Sequence, residues 1–269
     1  MSADTEHLRV RREGATLVLT LNRPEAKNAL SLPMLVGLYD GWVAADADDS
    51  VRSVVLTGAG GSFCAGMDLK ALAGRRGMGD DDAHRARLKA DPDLHWKAML
   101  RHYRPRKPVI AAVEGYCVAG GTEILQGTDI RVAGESAAFG LFEVRRGLFP
   151  IGGSTVRLPR QIARTHALEM LLTGRRYGAR EAARIGLIGH VVPDGTALDK
   201  ALSIAEQVNA CAPLAVEAVK ASVYETADIS EAEGLAAELK RGWPIFDTDD
   251  AKEGARAFAD KRDPVYRRA

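Results

Sequence analysis

Two registers of apolar and polar positions alternate through the first two thirds of the chain. Ala15 to Leu21 (ATLVLTL) is a run of β-branched residues and leucines that stops at Asn22-Arg23-Pro24, and it predicts a strand. Ser31, a good N-cap, then opens a helix with Pro33 in its first turn and Leu35, Leu38 and Trp42 at helical spacing. Ser53 to Thr57 predicts a short strand ending in Gly58-Ala59-Gly60-Gly61, and Pro108 to Val113 another ending at Glu114-Gly115. A helix is expected from Ala119-Gly120-Gly121, then a strand over Asp129 to Ala133. Apolar strands separated by helices point to an α/β domain with a mostly parallel sheet covered on both faces.

After about Ala179 the pattern becomes largely helical. Leu198 to Ala210, Pro213 to Thr226, Ser230 to Trp243 and Asp249 to Ala259 each repeat apolar residues every three or four positions. The expected organisation is a core domain over 1–195 and a helical C-terminal region over 196–269, suited to covering the core or packing on a neighbouring subunit. Ala73 to Asp93 differs from its surroundings: Gly and both signs of charge dominate, and apolar residues are nearly absent. That composition predicts a solvated surface loop, with a lid over a substrate pocket as the functional alternative.

Charge and cysteine usage narrow the possibilities. Lys plus Arg total 37 against 36 for Asp plus Glu, a net charge of +1, so no global field recruits nucleic acid or an anionic membrane. Cys64, Cys117 and Cys211 are odd in number, far apart and outside any zinc-type spacing, which argues against a disulfide framework and for a reducing cytoplasm. The N-terminal MSADTEHLRVRREG has no apolar core, so no secretory signal is expected. No run of about 18 apolar residues is present to span a membrane.

The Gly-rich turns carry the candidate chemistry. Gly58-Ala59-Gly60 opens like a dinucleotide fingerprint, but Phe63 stands where the third glycine is needed. Gly61 and Gly66 have phosphate-loop spacing, but Met67-Asp68 follow where Lys and Ser/Thr are required. What remains is two small-residue turns, Phe63-Cys64-Ala65-Gly66-Met67-Asp68-Leu69 and Val118-Ala119-Gly120-Gly121-Thr122-Glu123, each expected to lead from a strand into a helix. Free N–H groups at such helix starts suit an anionic oxygen, and two converging on one point make an oxyanion hole. Two plain tight turns explain the same glycines.

FCAGMDL and EGYCVAGGTE resemble the two signature segments of the crotonase (enoyl-CoA hydratase/isomerase) superfamily. So do Leu21-Asn22-Arg23-Pro24 with Asn28-Ala29-Leu30 upstream, and Gly147-Leu148-Phe149-Pro150 with Gly152-Gly153 downstream. The similarity runs from about Leu8 to the C-terminus, and the wording of GTEILQGTDIRVAGES and GLIGHVVPDG is most similar to actinobacterial enoyl-CoA hydratases. The resemblance implies a crotonase fold of repeated ββα units with a helical C-terminal region, assembled as a homotrimer or hexamer.

It also implies site residues. The oxyanion N–H groups fall on Met67 and Gly120, and the catalytic carboxylates on Glu123, as base, and Glu143, as acid, with interchange within the pair left open. Ala26, Lys27, Ala65, Gly66, Asp68, Leu69 and Lys70 match segments that grip the CoA moiety; Gly121 belongs to the second turn. Phe142, Leu148 and Trp96 are candidates for lining the acyl pocket, core packing being the alternative for each. Two positions depart from the common pattern: Phe142 stands where many members have Pro, and Thr122 where many have a third glycine. The implied substrate is an acyl-CoA thioester, with no metal or redox cofactor and CoA entering only with the substrate. The implied reaction is hydration of a 2-trans-enoyl-CoA. Alternatives are enoyl-CoA isomerisation, a carnitinyl-CoA-type dehydration, thioester hydrolysis, or the RNA binding of a few non-catalytic members.

Overall fold

The computed structural model describes residues 3–68 and 82–269. Its central sheet has six strands: β1 (Leu8–Glu13), β2 (Thr16–Leu21), β3 (Ser53–Gly58), β4 (Val109–Val113), β6 (Ile130–Gly134) and β9 (His190–Val192), in that spatial order. The β1–β2 pair is an antiparallel hairpin; every other neighbour is parallel. A smaller sheet takes β5 (Tyr116–Val118), β7 (Ala138–Gly140) and β8 (Tyr177–Gly178), with β5 and β7 parallel.

The period of two decides what each sheet face meets. Val54, Leu56, Val109, Ala111 and Val113 join the core around Trp42 of the helix Leu32–Ala47. Val18, Val55, Ile110, Ala112 and Val132 face the helix Ala197–Asn209 through its Ala197, Ala201, Ile204 and Ala205. All five residues of β4 are buried, as a central parallel strand requires. Ser31 caps the Leu32–Ala47 helix by accepting from Met34 N–H, and Trp42 Nε1 donates to the Ala98 carbonyl at 3.0 Å.

The strands expected after Ala15, Ser53, Pro108 and Asp129 are present to within a residue at each end. The four C-terminal helices are present too, at Ala197–Asn209, Pro213–Glu225, Glu231–Phe246 and Asp249–Ala259, the third running three residues past the expected Trp243. The first of them packs on the sheet, so a boundary at 195/196 cuts between the core and a helix that covers it. The Glu231–Phe246 helix leaves Leu235, Leu239, Trp243 and Phe246 exposed along one stripe.

The expected loop over 73–93 needs correction. Residues 73–81 lie outside the described residues, but Asp82–Ala90 is a helix. Its sequence DAHRARLKA is rich in good helix formers, and tertiary contacts fix it. Arg87 makes a two-pronged ion pair with Asp40, and Leu88 packs against the main core. Low hydrophobicity hid a helix that needs only a narrow contact.

Candidate active site

The site is assembled where parallel strand ends meet. The segment after β3 bridges β5 in parallel at Cys64 and Cys117: Cys64 N–H donates to the Tyr116 carbonyl and Val118 N–H to the Cys64 carbonyl. β7 lies parallel on the other side of β5, with Val118 opposite Gly140. The three chains therefore leave at the same, carboxyl end, which is where open α/β sheets hold ligands. Met67 follows the first, Gly120 and Glu123 the second, and Glu143 the third.

Met67 stands in a parallel bridge with Leu30: Leu30 N–H donates to the Gly66 carbonyl at 2.8 Å, and Asp68 N–H to the Leu30 carbonyl at 3.4 Å. In such a bridge the central residue's own N–H points away from its partner. Among the described residues Met67 N–H meets no acceptor, and the same holds for Gly120 N–H at the first position of the helix Gly120–Leu125. The two turns nearly touch. A methyl placed on Gly66 (φ +88°) would lie 2.7 Å from Ala119 Cβ and 3.0 Å from Gly120 N. Ala119, at φ +51° and ψ −126°, is in a region L residues rarely occupy, at a cost of about 1–3 kcal/mol. Its N–H donates to the Gly140 carbonyl at 2.7 Å, which tightens the turn and swings Gly120 N–H toward Gly66.

Glu123 follows Gly120 by three residues, so both lie on the same face of one helical turn. It is 5% exposed; burial raises its pKa, offset by hydrogen bonds from the Ser154 and Gly152 N–H groups and the Ser154 hydroxyl. The carboxylate lies so close over Gly152 that a methyl placed there would displace it. Glu143 opens the short helix Glu143–Arg146 after β7. Burial is the main cause that pushes its pKa up to about 7, and the charge of Glu123 adds to it. Glu143 Oε2 is out of solvent and meets no donor among the described residues. The two carboxylates thus sit in electrostatic reach of each other, one well furnished with donors and one not.

The remaining sequence-predicted residues divide. Ala26 and Lys27 form the turn after β2, where the Lys27 carbonyl accepts from Ala65 N–H at 3.0 Å; this brings both next to Ala65 and Gly66. Lys27 Nζ lies 4.3 Å from the centre of the Tyr116 ring. Asp68 pairs with Arg23 at 2.8 Å, both side chains largely buried, so its carboxylate ties the two loops together. Gly121 packs on the Cys64 carbonyl with no room for a side chain, away from the open turn. Phe142 lays its ring against Gly140, and Leu148 is 48% exposed beyond Glu143, with Phe149 and Ile151 exposed nearby. Trp96 packs against the main core and stacks near His95 and His102. Leu69 and Lys70 lie outside the described residues. Thr122 turns its hydroxyl to the Cys117 and Gly140 carbonyls at 2.6 and 3.2 Å, tying β5 to β7 behind the site. Cys64 is a packed residue, its thiol pushed up to about 12 by burial. Among the described residues no cluster of His, Cys, Asp and Glu is arranged to hold a metal.

Sequence reasoning assigned no role to Asn28, Ser154 or Gln126. Asn28 is fully buried; its amide donates to the Ala59 and Ser62 carbonyls at 2.9 and 2.6 Å, and its carbonyl oxygen accepts from Arg23 N–H. It staples the turns after β2 and β3. The Asn28-Ala29-Leu30 and Gly152-Gly153 motifs were the signals that pointed at these neighbourhoods.

A family model described as "Enoyl-CoA hydratase/isomerase" matches residues 11–269. The chain belongs to the enoyl-CoA hydratase/isomerase family. It is 52% identical to the enoyl-CoA hydratase EchA19 of Mycobacterium tuberculosis, over 96% of this chain and 95% of that one. The 2,3-dehydroadipyl-CoA hydratase of Escherichia coli is 36% identical over 96% and 97%. The crystal structure of an enoyl-CoA hydratase from Mycobacterium tuberculosis superposes with a TM-score of 0.87 at 39% identity, covering 98% of this chain and all (100%) of that one. The fold of this family member is accordingly the crotonase fold, and its mixed sheet and helical C-terminal region are those the sequence resemblance implied.

Proposed function

We propose that this family member is an enoyl-CoA hydratase, a lyase that adds water across the double bond of a 2-trans-enoyl-CoA to give a 3-hydroxyacyl-CoA. The reading is supported by the close approach of the turns at Gly66 and Gly120, by the Met67 and Gly120 N–H groups that meet no acceptor among the described residues, and by two carboxylates of unlike surroundings, Glu123 and Glu143. The thioester carbonyl oxygen sits between the N–H groups, which stabilise the negative charge that builds up as water attacks C3. Each such donor contributes about 3 kcal/mol in the transition state. Glu123, held as a hydrogen-bond acceptor, takes the proton from water. Glu143, which burial keeps protonated up to about pH 7, delivers a proton to C2. The thioester takes up the charge, so the reaction as written needs no resident metal or redox cofactor.

Ala26, Lys27, Ala65, Gly66 and Asp68 form one rim of the site and are assigned to the CoA moiety, with Leu69 and Lys70 continuing from it. Phe142 and Leu148 are assigned to the acyl side, and Gly121 to close packing under the turn. The exposed stripe on Glu231–Phe246 suits a subunit contact in a homotrimer or hexamer. No helix among the described residues is long and apolar enough to cross a membrane, and a cytoplasmic, lipid-metabolic role fits the reducing environment that the cysteines suggest.

The test is a panel of 2-enoyl-CoAs, from crotonyl to long-chain and ring-bearing, followed by loss of the conjugated absorbance and by product mass. Gain of one water supports hydration. A shifted double bond, free CoA, or no turnover on any member replaces it with isomerisation, hydrolysis or a non-catalytic role.

A further inference from the structure

We infer that Ser154, oriented by Gln126, is the positioning residue that holds Glu123 as a hydrogen-bond acceptor; the inference rests on the hydratase reading for its kinetic consequence. Both side chains are buried, Ser154 at 0% and Gln126 at 1% exposure. Ser154 opens the helix Ser154–Gln161, directly after Gly152 and Gly153, and Gln126 ends the helix that bears Glu123.

Hydrogen-bond chemistry fixes the direction of the chain of contacts. Gln126 Nε2 lies 3.1 Å from the Thr122 carbonyl oxygen and 2.8 Å from Ser154 Oγ. A carbonyl oxygen only accepts, so the NH₂ end of the amide must face Thr122; the reversed amide would set Oε1 against that oxygen. One amide proton serves Thr122 and the other Ser154. The Ser154 oxygen is then an acceptor toward Gln126, and its single proton is free for another partner. The geometry assigns that proton to the Glu123 carboxylate, whose Oε1 lies 3.5 Å from the N–H of the same serine. The Gln126 backbone carbonyl accepts from Gln161 Nε2 at 2.8 Å, which anchors this end of the helix. The groups that reach Glu123 itself are donors, an arrangement complementary to a carboxylate and ill suited to a carboxylic acid.

The other charged groups that face Glu123 are Glu143 from the short helix after β7, Arg101 from the segment after Leu94–Ala98, and Arg157 from the Ser154–Gln161 helix. None of them offers a neutral donor at hydrogen-bond range, so the hydroxyl is the group whose removal isolates the effect.

The experiment uses full-length Ser154→Ala, Ser154→Thr and Gln126→Met, with melting curves to establish folding. Two readouts are taken: hydration kinetics against pH, and an isotope-edited infrared titration of the Glu123 carboxylate, assigned by its loss in Glu123→Gln. Ser154→Ala is expected to lower kcat about ten- to a hundredfold, the worth of a hydrogen bond to a charged group, with KM near wild type. The acid limb of kcat/KM and the infrared titration both move to higher pH, because the carboxylate loses a donor. Ser154→Thr restores both. Gln126→Met moves both in the same direction by less, and adds nothing on top of Ser154→Ala. An unmoved acid limb and infrared titration in Ser154→Ala overturn the inference, as does a threonine variant as impaired as the alanine. If the wild-type chain hydrates no enoyl-CoA, the proposed function fails, and the infrared titration alone decides the positioning role.

Discussion

Glu123 and Glu143 stand at the ends of neighbouring parallel strands, and their surroundings differ in almost every respect. Glu123 lies on a helix, nearly fully buried, with backbone N–H groups of Gly152 and Ser154 and the Ser154 hydroxyl around it. Glu143 lies on a short helix at the rim, with Oε2 shielded from solvent and without a donor among the described residues. Burial opposes ionisation of both; three donors from Gly152 and Ser154 offset it at Glu123, against only its own backbone N–H at Glu143. The lesson is that donors, more than depth, divide a carboxylate pair into a base and an acid: the deeper group is the better furnished one, and the shallower is pushed up to about 7.

The largest break in that comparison removes one carboxylate at a time. Glu123→Gln and Glu143→Gln are each expected to lower kcat about 100- to 10,000-fold with thioester affinity largely kept, as measured by steady-state hydration and by calorimetric binding of a saturated acyl-CoA. Near-normal turnover in either variant would end the two-carboxylate scheme. Next comes the turn that both carboxylates serve. Gly66→Ala puts a methyl 2.7 Å from Ala119 Cβ at a backbone φ of +88°. It should pry the Met67 and Gly120 N–H groups apart and cost about 100-fold in kcat, the scale of one lost oxyanion donor. A Gly66→Ala enzyme with full activity would show that the two turns need not approach this closely.

What the sequence carried and what it hid follow from range. Periodicity found β2, β3, β4 and β6 and the four C-terminal helices, because each signal is local and strongly apolar. The three-residue strands β5, β7 and β9 are too short to show a period, and β5 and β7 frame the site. Glycine pattern and family resemblance placed Met67, Gly120, Glu123 and Glu143 as candidates. Ser154 and Gln126 could not be found that way, since their contact joins positions 28 residues apart through a buried hydrogen bond. The helix Asp82–Ala90 was missed for a different reason: its stabilising partner, Asp40, lies 47 positions away from Arg87.

A smaller effect sharpens the contrast through stability. A carboxyl whose folded pKa is raised takes up a proton on folding, so its contribution to stability is favourable at low pH and lost as pH rises from 4.5, the value of an ordinary glutamate, to about 7. At pH 8 the wild-type chain bears the whole cost of an ionised Glu143, and near pH 4 it bears none. Glu143→Gln should therefore be more stable than wild type at pH 8 by about 1–2 kcal/mol, a figure discounted for partial exposure at the rim. The difference should vanish near pH 4. Urea midpoints at fixed protein concentration measure it, and equal midpoints at pH 8 would mean that solvent or a partner group relieves Glu143.

The smallest effect tests whether the two carboxylates act on each other at all. Burial is the main cause of the raised Glu143 pKa, and the Glu123 charge is a lesser one. Glu123→Gln removes the charge but leaves the burial, so Glu143 should titrate at a lower pH than in the wild type while staying above an ordinary glutamate. Isotope-edited infrared spectroscopy of the Glu143 carboxyl band reads this directly in the inactive variant. A titration that falls all the way to the ordinary range would make like-charge repulsion the dominant cause. One that does not move would mean that the pair is electrostatically independent, and each limb of the pH–rate profile would then belong to a single residue instead of to the pair.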